Sequence, residues 1–323
     1  MNINLLDLFS GIGGFHLGLS QAGFKVNSYY SEIDKYAIKT YNYNFKNSTY
    51  VGSVTNIQRD RLPKRINAIT FGSPCQDFSL AGKRKGLDGD RSSLISEAIN
   101  LISEFRPDFF IWENVKGTFS SNNGEDFWAI IQAFTNIGGY RLEWQLLNTS
   151  WFLPQNRERI YLVGYTPNKS RGQIFPITKV LELGKYSLTK TRKHNKIARA
   201  LSARASLGAD DNYIKVNSNT KKGYEIANPG DSISYSNPNS KTRRGRVGKQ
   251  QSQTLDTSCN QAVYNNENVR RLTPIECERL QGFPDNWTLA KDNSDTQRYK
   301  MIGNAVTVDV VKAVGERIIK TLY

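Results

Sequence analysis

Cysteine is scarce: Cys75, Cys259 and Cys277 are the whole complement of a 323-residue chain. An odd set so widely spaced makes neither a disulfide framework nor the close ligand spacing of a zinc site, so no metal is expected and the reading is a reducing cytoplasm. Long apolar runs are also missing. No stretch of about 18 apolar residues occurs, so no membrane-spanning helix is predicted. Met1 to Asp7 lacks the basic region and long apolar stretch of a secretory signal, and reads as a first strand. No internal repeat is visible. Acidic residues are few, 29 against 44 Lys and Arg, and the net charge is +15. The deficit is local: residues 165–269 hold 18 basic and 7 acidic side chains, whereas the rest nearly balances at 26 and 22. A codon bias would spread the excess evenly; a concentrated excess points to a polyanion as partner.

Apolar and charged fractions of 38% and 23% are those of a globular protein, long enough for a large domain and a smaller one. In the first 165 residues short apolar runs alternate with amphipathic stretches. Strands are predicted at Ile3–Phe9, Val26–Ser31, Ile66–Phe71, Asp108–Trp112 and Arg159–Tyr165. Helices are predicted up to Ala22, over Ser92–Phe105 and over Asp126–Ile137. That alternation predicts an α/β fold, a doubly wound and mostly parallel sheet whose ligands lie beyond the C-terminal strand ends. Residues 166–269 are rich in Gly, Ser, Asn, Lys and Thr, with basic stretches at Lys190–Arg204 and Lys241–Lys249. They read as a smaller, loop-rich domain, with a linker as the competing reading. Thr273-Pro274-Ile275-Glu276 carries the signature of a capped helix start, and Val306–Leu322 reads as a final helix.

Four polar clusters end or flank these strands. Asp7-Leu8-Phe9-Ser10-Gly11-Ile12-Gly13-Gly14-Phe15 lets the backbone turn tightly and approach a ligand, but its spacing is not the dinucleotide fingerprint. Glu32, after the second strand, can grip a ribose diol or be an ordinary surface Glu. Cys75, in Gly72-Ser73-Pro74-Cys75-Gln76, sits at a strand end before a polar loop, a better place for a reactive thiol than for a core residue. The loop through Lys83 and Arg91 reads as a lid able to reach phosphates. Glu113-Asn114-Val115 ends the most hydrophobic strand, where desolvation favours a protonated carboxyl; the competing reading is a helix-capping carboxylate. Arg157 and Arg159 are two apart and should share a strand face, holding a carbonyl oxygen and a carboxylate, or forming surface ion pairs.

In this order the motifs resemble the cytosine carbon-5 DNA methyltransferase family, over nearly the whole chain. Asp7–Phe15 resembles its cofactor loop, Gly72–Gln76 with Phe78-Ser79 its Pro-Cys motif, and Glu113–Val115 and Gln155–Tyr161 its acid and arginine motifs. Arg270–Cys277 with Gly282-Phe283-Pro284, and Gly303-Asn304-Ala305-Val306, resemble its late motifs. The resemblance implies a Rossmann-like catalytic domain, residues 1–165 completed by 270–323, and a target recognition domain over 166–269. It implies S-adenosylmethionine as cofactor, held by Asp7, Phe9, Ser10, Gly11, Ile12, Gly13, Gly14, Glu32, Ile33, Ser53, Pro74, Asn304 and Ala305. Cys75 is the implied nucleophile, with Glu113, Arg157 and Arg159 as its catalytic partners. Double-stranded DNA is the implied partner, met by Gln76, Ser79, Lys83, Arg91, Arg243, Arg244, Arg246 and Thr254. The chain departs from the family in having Ser53 and Asn67 where acidic residues are usual, which suggests weaker or rearranged cofactor binding. Cys259 and Cys277 lie outside the chemistry and should be replaceable. A monomer is the default expectation, in a bacterial cytoplasm with a restriction or phage self-protection role. A tRNA cytosine methyltransferase and a silent DNA-binding relative are the rival readings.

Overall fold

The computed structural model describes residues 1–72, 93–167, 172–178, 213–235, 246–265 and 268–323. Seven strands build the main sheet: β1 (Asn2–Leu8), β2 (Lys25–Ser31), β3 (Thr49–Tyr50), β4 (Ala68–Gly72), β5 (Phe109–Val115), β6 (Arg141–Asn148) and, after the short β7 (Gln155–Asn156), β8 (Glu158–Tyr165). Their order is β3-β2-β1-β4-β5-β8-β6. Neighbours run parallel except at β8, which is antiparallel to both β5 and β6. The mostly parallel sheet was legible in the sequence; the reversed β8 was not. Its consequence is that the start of β8 lies at the same edge as the ends of β1, β4 and β5.

Period-two alternation divides the apolar residues between two faces. Leu5, Phe109, Ile111 and Val163 point to one side, where α1 (Gly14–Ala22) covers them with Phe15 and Leu19. Leu6, Phe71, Phe110, Trp112 and Leu162 point to the other. After α2 (Lys35–Asn44) in chain order come the helices that cover this second face, α3 (Ser93–Phe105) and α4 (Glu125–Asn136). Their Ile95, Leu101, Ile102, Phe127, Ile130 and Phe134 complete the core. Helices on both faces satisfy strands that are buried on both sides.

The later chain adds β9 (Ile214–Asn217) paired with β10 (Tyr224–Ala227). It then adds β11 (Ser232–Ser234), β12 (Val247–Gly248), β13 (Ser252–Gln253), β14 (Gln261–Tyr264) and β15 (Val269–Arg271). A four-stranded sheet in the order β12-β11-β14-β15 shares a small core of Ile214, Ala227, Ile233, Val247 and Tyr264. β13 does not join it. It pairs in parallel with β7, Ser252 beside Gln155 and Gln253 beside Asn156. The chain then closes with α5 (Pro274–Leu280), α6 (Asp295–Asn304) and α7 (Val308–Leu322). The helix start at Thr273 is the capping box expected from the sequence: the Thr273 hydroxyl accepts from the Glu276 N–H, the Glu276 carboxylate from the Thr273 N–H, and Pro274 fills the first turn. α7 returns to the α1 face and packs Val310, Val311, Val314 and Ile318 into the first core. Among the described residues no helix is long and apolar enough to cross a membrane.

The α1–α7 contact depends on Gly18. A Cβ there would stand 2.6 Å from the Val311 side chain and 2.9 Å from the Val308 carbonyl oxygen. Overpacking of this kind costs about 1–3 kcal/mol. Gly18→Ala should lower the urea unfolding midpoint accordingly, and an unchanged midpoint would show that the two helices are not in this close contact.

Candidate active site

Four of the sequence motifs arrive at one edge of the sheet. Cross-strand register sets Asp7 beside Thr70 and Gly72 beside Glu113. Alternation places Asp7, Thr70, Gly72, Glu113 and Arg159 on the face that α1 and α7 cover. Gly72 has a steric reason to be glycine, because a Cβ there would sit 3.2 Å from Glu113 Oε2. The bare backbone leaves room for that carboxylate, at the point where the chain leaves β4 for Ser73, Pro74 and Cys75. Those three residues, with Gln76, Ser79, Lys83 and Arg91 and the proposed lid around 80–92, lie outside the described residues, as do Arg243, Arg244 and the basic stretch Lys190–Arg204.

Glu113 is buried, with Arg159 Nε 3.1 Å from its Oε1. The contact is an ion pair without hydrogen-bond geometry, and Oε1 has no hydrogen-bond partner among the described residues. The helix-capping alternative falls to its neighbour: Asn114 Oδ1 accepts from Val115 N–H at 2.7 Å and from the Thr118 hydroxyl at 3.3 Å. The arginines are not surface ion pairs either, and they diverge in use. Arg159 faces Glu113 and donates from NH1 to the Glu158 carbonyl. Arg157, 3% exposed, donates to the carbonyls of Leu255, Gly303 and Ala305 at 3.4, 3.4 and 2.9 Å. It binds backbone from two distant parts of the chain.

The glycine loop bends through left-handed backbone at Phe9, Gly11 and Gly13, with φ of 49°, 53° and 85°. A non-glycine residue in that region is strained and occurs where a site demands it. Gly13 and Gly14 are packed, with a Cβ meeting Phe45 at 2.4 Å and Val306 at 2.6 Å, whereas Gly11 faces open space. Ser10 Oγ is buried without a hydrogen-bond partner. Glu32 anchors the loop: Oε2 accepts from Gly11 N–H at 2.8 Å, and Oε1 from the N–H groups of Ile33 and Asp34. Each carboxylate oxygen has two lone pairs, so Oε2 can accept one further bond. Beside it Ile33 is 79% exposed, an apolar side chain left in solvent at a strand end. Trp287 Nε1 donates to the Ile12 carbonyl, tying the late chain to the loop. Asn304 is exposed at the end of α6, and Ala305 is buried behind it. An open backbone cradle, an acceptor carboxylate and an exposed apolar side chain fit a nucleoside with a polar tail.

Three expectations are corrected. Asp7 does not border the cradle. It is fully buried, accepting from the Thr70 hydroxyl at 2.8 Å and from the Tyr41 hydroxyl at 3.4 Å, and it supports the loop from beneath. Arg246 is buried too, just before β12, with its carbonyl accepting from Ser234 N–H and its own N–H donating to Glu225. A guanidinium so enclosed is not placed to neutralise phosphates. Asn67 has no bearing on a cofactor. At the far end of β4 it accepts from Asn4 N–H and donates to Asp108, which an Asp could not do. Ser53 spends its hydroxyl locally, accepting from Thr55 N–H at 3.4 Å as cap of a short turn. Thr254 donates to the Asn156 carbonyl at 2.8 Å, across the β7–β13 pair. Sequence reasoning named Gln155 only as the start of a motif and missed Gln281 and Trp287; all three donate to main-chain carbonyls that no side-chain pattern reveals.

The comparisons with known proteins agree with this geometry. Residues 3–320 match the model of the C-5 cytosine-specific DNA methylase family, and the chain belongs to that family. It is similar to the Type II methyltransferase M1.ScrFI of Lactococcus lactis subsp. cremoris, with 34% identity over 98% of this chain and 78% of the relative. It is also similar to the Type II methyltransferase M.HpaII of Haemophilus parainfluenzae, with 32% identity over 98% and 89%. Among solved structures it resembles the Entamoeba histolytica methyltransferase EhMeth, with a TM-score of 0.62, 20% identity and coverage of 99% and 98%. The fold is thus that of an α/β methyltransferase and the protein is a DNA cytosine methyltransferase. A tRNA enzyme and a silent binder are not favoured.

The buried Asp7 gives a pH test. Burial above all, with the negative charge of Glu32, outweighs the bonds from Thr70 and Tyr41 and pushes its carboxyl from 3.8 up to about 8. A group raised on folding stabilises the native state fully below its unfolded value, and that contribution is lost as pH rises through the folded value. Asp7→Asn removes this titration. Its Tm deficit against wild type should be largest below about pH 4 and shrink as pH rises towards about 8; a deficit independent of pH would refute the assignment.

Proposed function

We propose that this protein transfers a methyl group from S-adenosylmethionine to carbon 5 of a cytosine flipped out of double-stranded DNA at a short specific sequence, as a bacterial restriction-modification or phage self-protection enzyme. The observation that carries the reading is the buried Glu113–Arg159 pair at the edge where β4 ends in Gly72. Cys75 follows Gly72 by three residues, so covalent geometry alone keeps the two Cα atoms within about 11 Å.

The glycine loop, Glu32, Ile33, Asn304 and the Ala305 region would hold S-adenosylmethionine, whose sulfonium supplies an electrophilic methyl group. Glu32 Oε2 has a lone pair for a ribose hydroxyl, and the exposed Ile33 an apolar surface for the adenine. Ser53 is a weaker candidate than an acidic residue, since its hydroxyl already caps a turn. The target base must leave the stack before a thiolate can reach carbon 6. Glu113 bonds to N3 and the amino group of the ring, and the remaining N–H groups of Arg159 address the O2. Cys75 attacks carbon 6, which makes carbon 5 nucleophilic; carbon 5 takes the methyl group, loses its proton, and Cys75 departs. Arg157 does not touch the base in this scheme. It holds the Ala305 and Leu255 backbone in place.

Residues 166–269 would serve as the target recognition domain. Their charge excess supplies salt-dependent phosphate affinity, with Arg243 and Arg244 rather than the buried Arg246 in contact. The β7–β13 pair and Thr254 seat this region against the catalytic edge.

A duplex carrying 5-fluorocytosine throughout one strand tests the chemistry without knowledge of the target sequence. Fluorine cannot leave carbon 5 as a proton does, so the Cys75 adduct should persist. Wild-type protein with S-adenosylmethionine should form a denaturant-stable DNA complex, and Cys75→Ser should form none. An equal yield from Cys75→Ser, or none from folded wild type that binds the duplex, would refute the mechanism.

A further inference from the structure

Two thiols that the methyl-transfer scheme leaves unused meet in the core. Cys259, between β13 and β14, and Cys277, on α5, are 18 residues apart in sequence with Sγ atoms 3.1 Å apart, both free and both 1% exposed. The sparse spacing argued against pairing; the fold brings the two together because β14 and β15 lead the chain back alongside the turn before α5. A disulfide needs about 2.05 Å, so the sulfurs are about 1 Å from bonding distance.

We propose that Cys259 and Cys277 form a reversible oxidation site, at which hydrogen peroxide converts the two thiols into an intramolecular disulfide. Cys259 is the attacking sulfur. Arg271 holds its backbone, donating from Nε to the Cys259 carbonyl at 3.2 Å, and brings positive charge to the thiol. The hydrogen bond with Cys277 and then that charge keep the Cys259 thiol below its ordinary range despite burial, while the same bond and burial push Cys277 up. Cys259, at the end of the exposed turn and held by Arg271, is the sulfur that an oxidant meets first, and Cys277 on α5 is placed to resolve it. The Cys259 thiolate attacks one peroxide oxygen, the O–O bond breaks, and the departing hydroxide takes up a proton to leave as water. Cys259 is left as a sulfenic acid. The Cys277 sulfur then attacks the Cys259 sulfur, the S–O bond breaks, and the hydroxyl leaves as water with the Cys277 proton. Two thiols lose two electrons in all, and one peroxide becomes two waters.

Access comes from a short turn rather than from unfolding. Asp256, Thr257 and Ser258 are all exposed, and Cys259 is the residue tucked inward at their end, with a left-handed φ of 45°. The bonds of this turn are mostly local: Ser258 N–H and Asn260 N–H to Asp256 Oδ1, Asn260 Nδ2 to Asp256 Oδ2 and Cys259 N–H to the Asp256 carbonyl, with Arg271 and Tyr235 donating to its carbonyls from outside. Such a segment opens at much lower cost than the fold. The turn also lies against α6: a Cβ on Gly303 would stand 2.5 Å from the Asp256 carbonyl oxygen. A cross-link between Cys259 and α5 therefore acts one residue away from Asn304.

The test uses full-length Cys75→Ser protein, so that the proposed nucleophile takes no part. It is treated with hydrogen peroxide, alkylated and digested without reductant. The expected result is loss of both remaining thiols, a peptide pair joined through Cys259 and Cys277 from monomeric protein, and recovery of both thiols with dithiothreitol. The same map of wild-type protein guards against a folding defect of the variant and should show the same pair. Thiols that stay alkylatable in folded protein, cross-links between chains, or irreversible oxidation of one cysteine with the other left free would each overturn the proposal. None of these outcomes depends on methyl transfer, so failure here leaves the catalytic reading standing.

Discussion

The architecture depends on one buried polar knot. Arg157, Gln155 and Gln281 join three stretches of chain that are far apart in sequence. Arg157 reaches the carbonyls of Leu255, Gly303 and Ala305. Gln155 accepts from Leu255 N–H and donates to the Leu280 carbonyl. Gln281 donates to the Ile302 and Ala305 carbonyls and accepts from the Thr307 hydroxyl, which also bonds Thr149. Removing one partner from such a network strands buried polar groups, each at about 1–3 kcal/mol. The backbone that follows Ala305 packs on the glycine loop through Val306, and the backbone at Leu255 follows Thr254. The same atoms thus position the glycine loop and the segment that leads into the small four-stranded sheet.

The motif residues converge because of strand direction. The reversed β8 brings Arg159 in at its start, at the edge where β5 presents Glu113 near its end. A parallel β8 would place those two residues at opposite ends of the sheet. The absence of a side chain at Gly72 then leaves space for the Glu113 carboxylate. Reversal of one strand and one missing Cβ do more to build this site than any single charged residue does.

Much of this was legible in the sequence because it rests on local rules. The glycine loop, the Thr273 capping box and the alternating strands follow from backbone freedom, capping chemistry and period-two burial. Glu113 was legible from its position at the end of Phe109-Phe110-Ile111-Trp112. What escaped depends on tertiary context. Asp7 reads like a loop carboxylate, but its alternation places it under the loop rather than in it. Arg246 reads as one of a basic run, yet it is buried where the chain enters β12. The edge strand β6 carries Glu143, Trp144 and Gln145 amid its apolar residues, and the polar helix α2 has a weak apolar stripe, so neither was foreseen. Cys259 and Cys277 are distant in sequence and adjacent only after β14 and β15 have paired.

Bisulfite sequencing of plasmid DNA from cells expressing this protein tests the central claim most directly. The account predicts methylated cytosines confined to one short sequence context, and none when Cys75 is replaced by serine. Unmodified cytosines throughout DNA from cells that contain folded wild-type protein would contradict it.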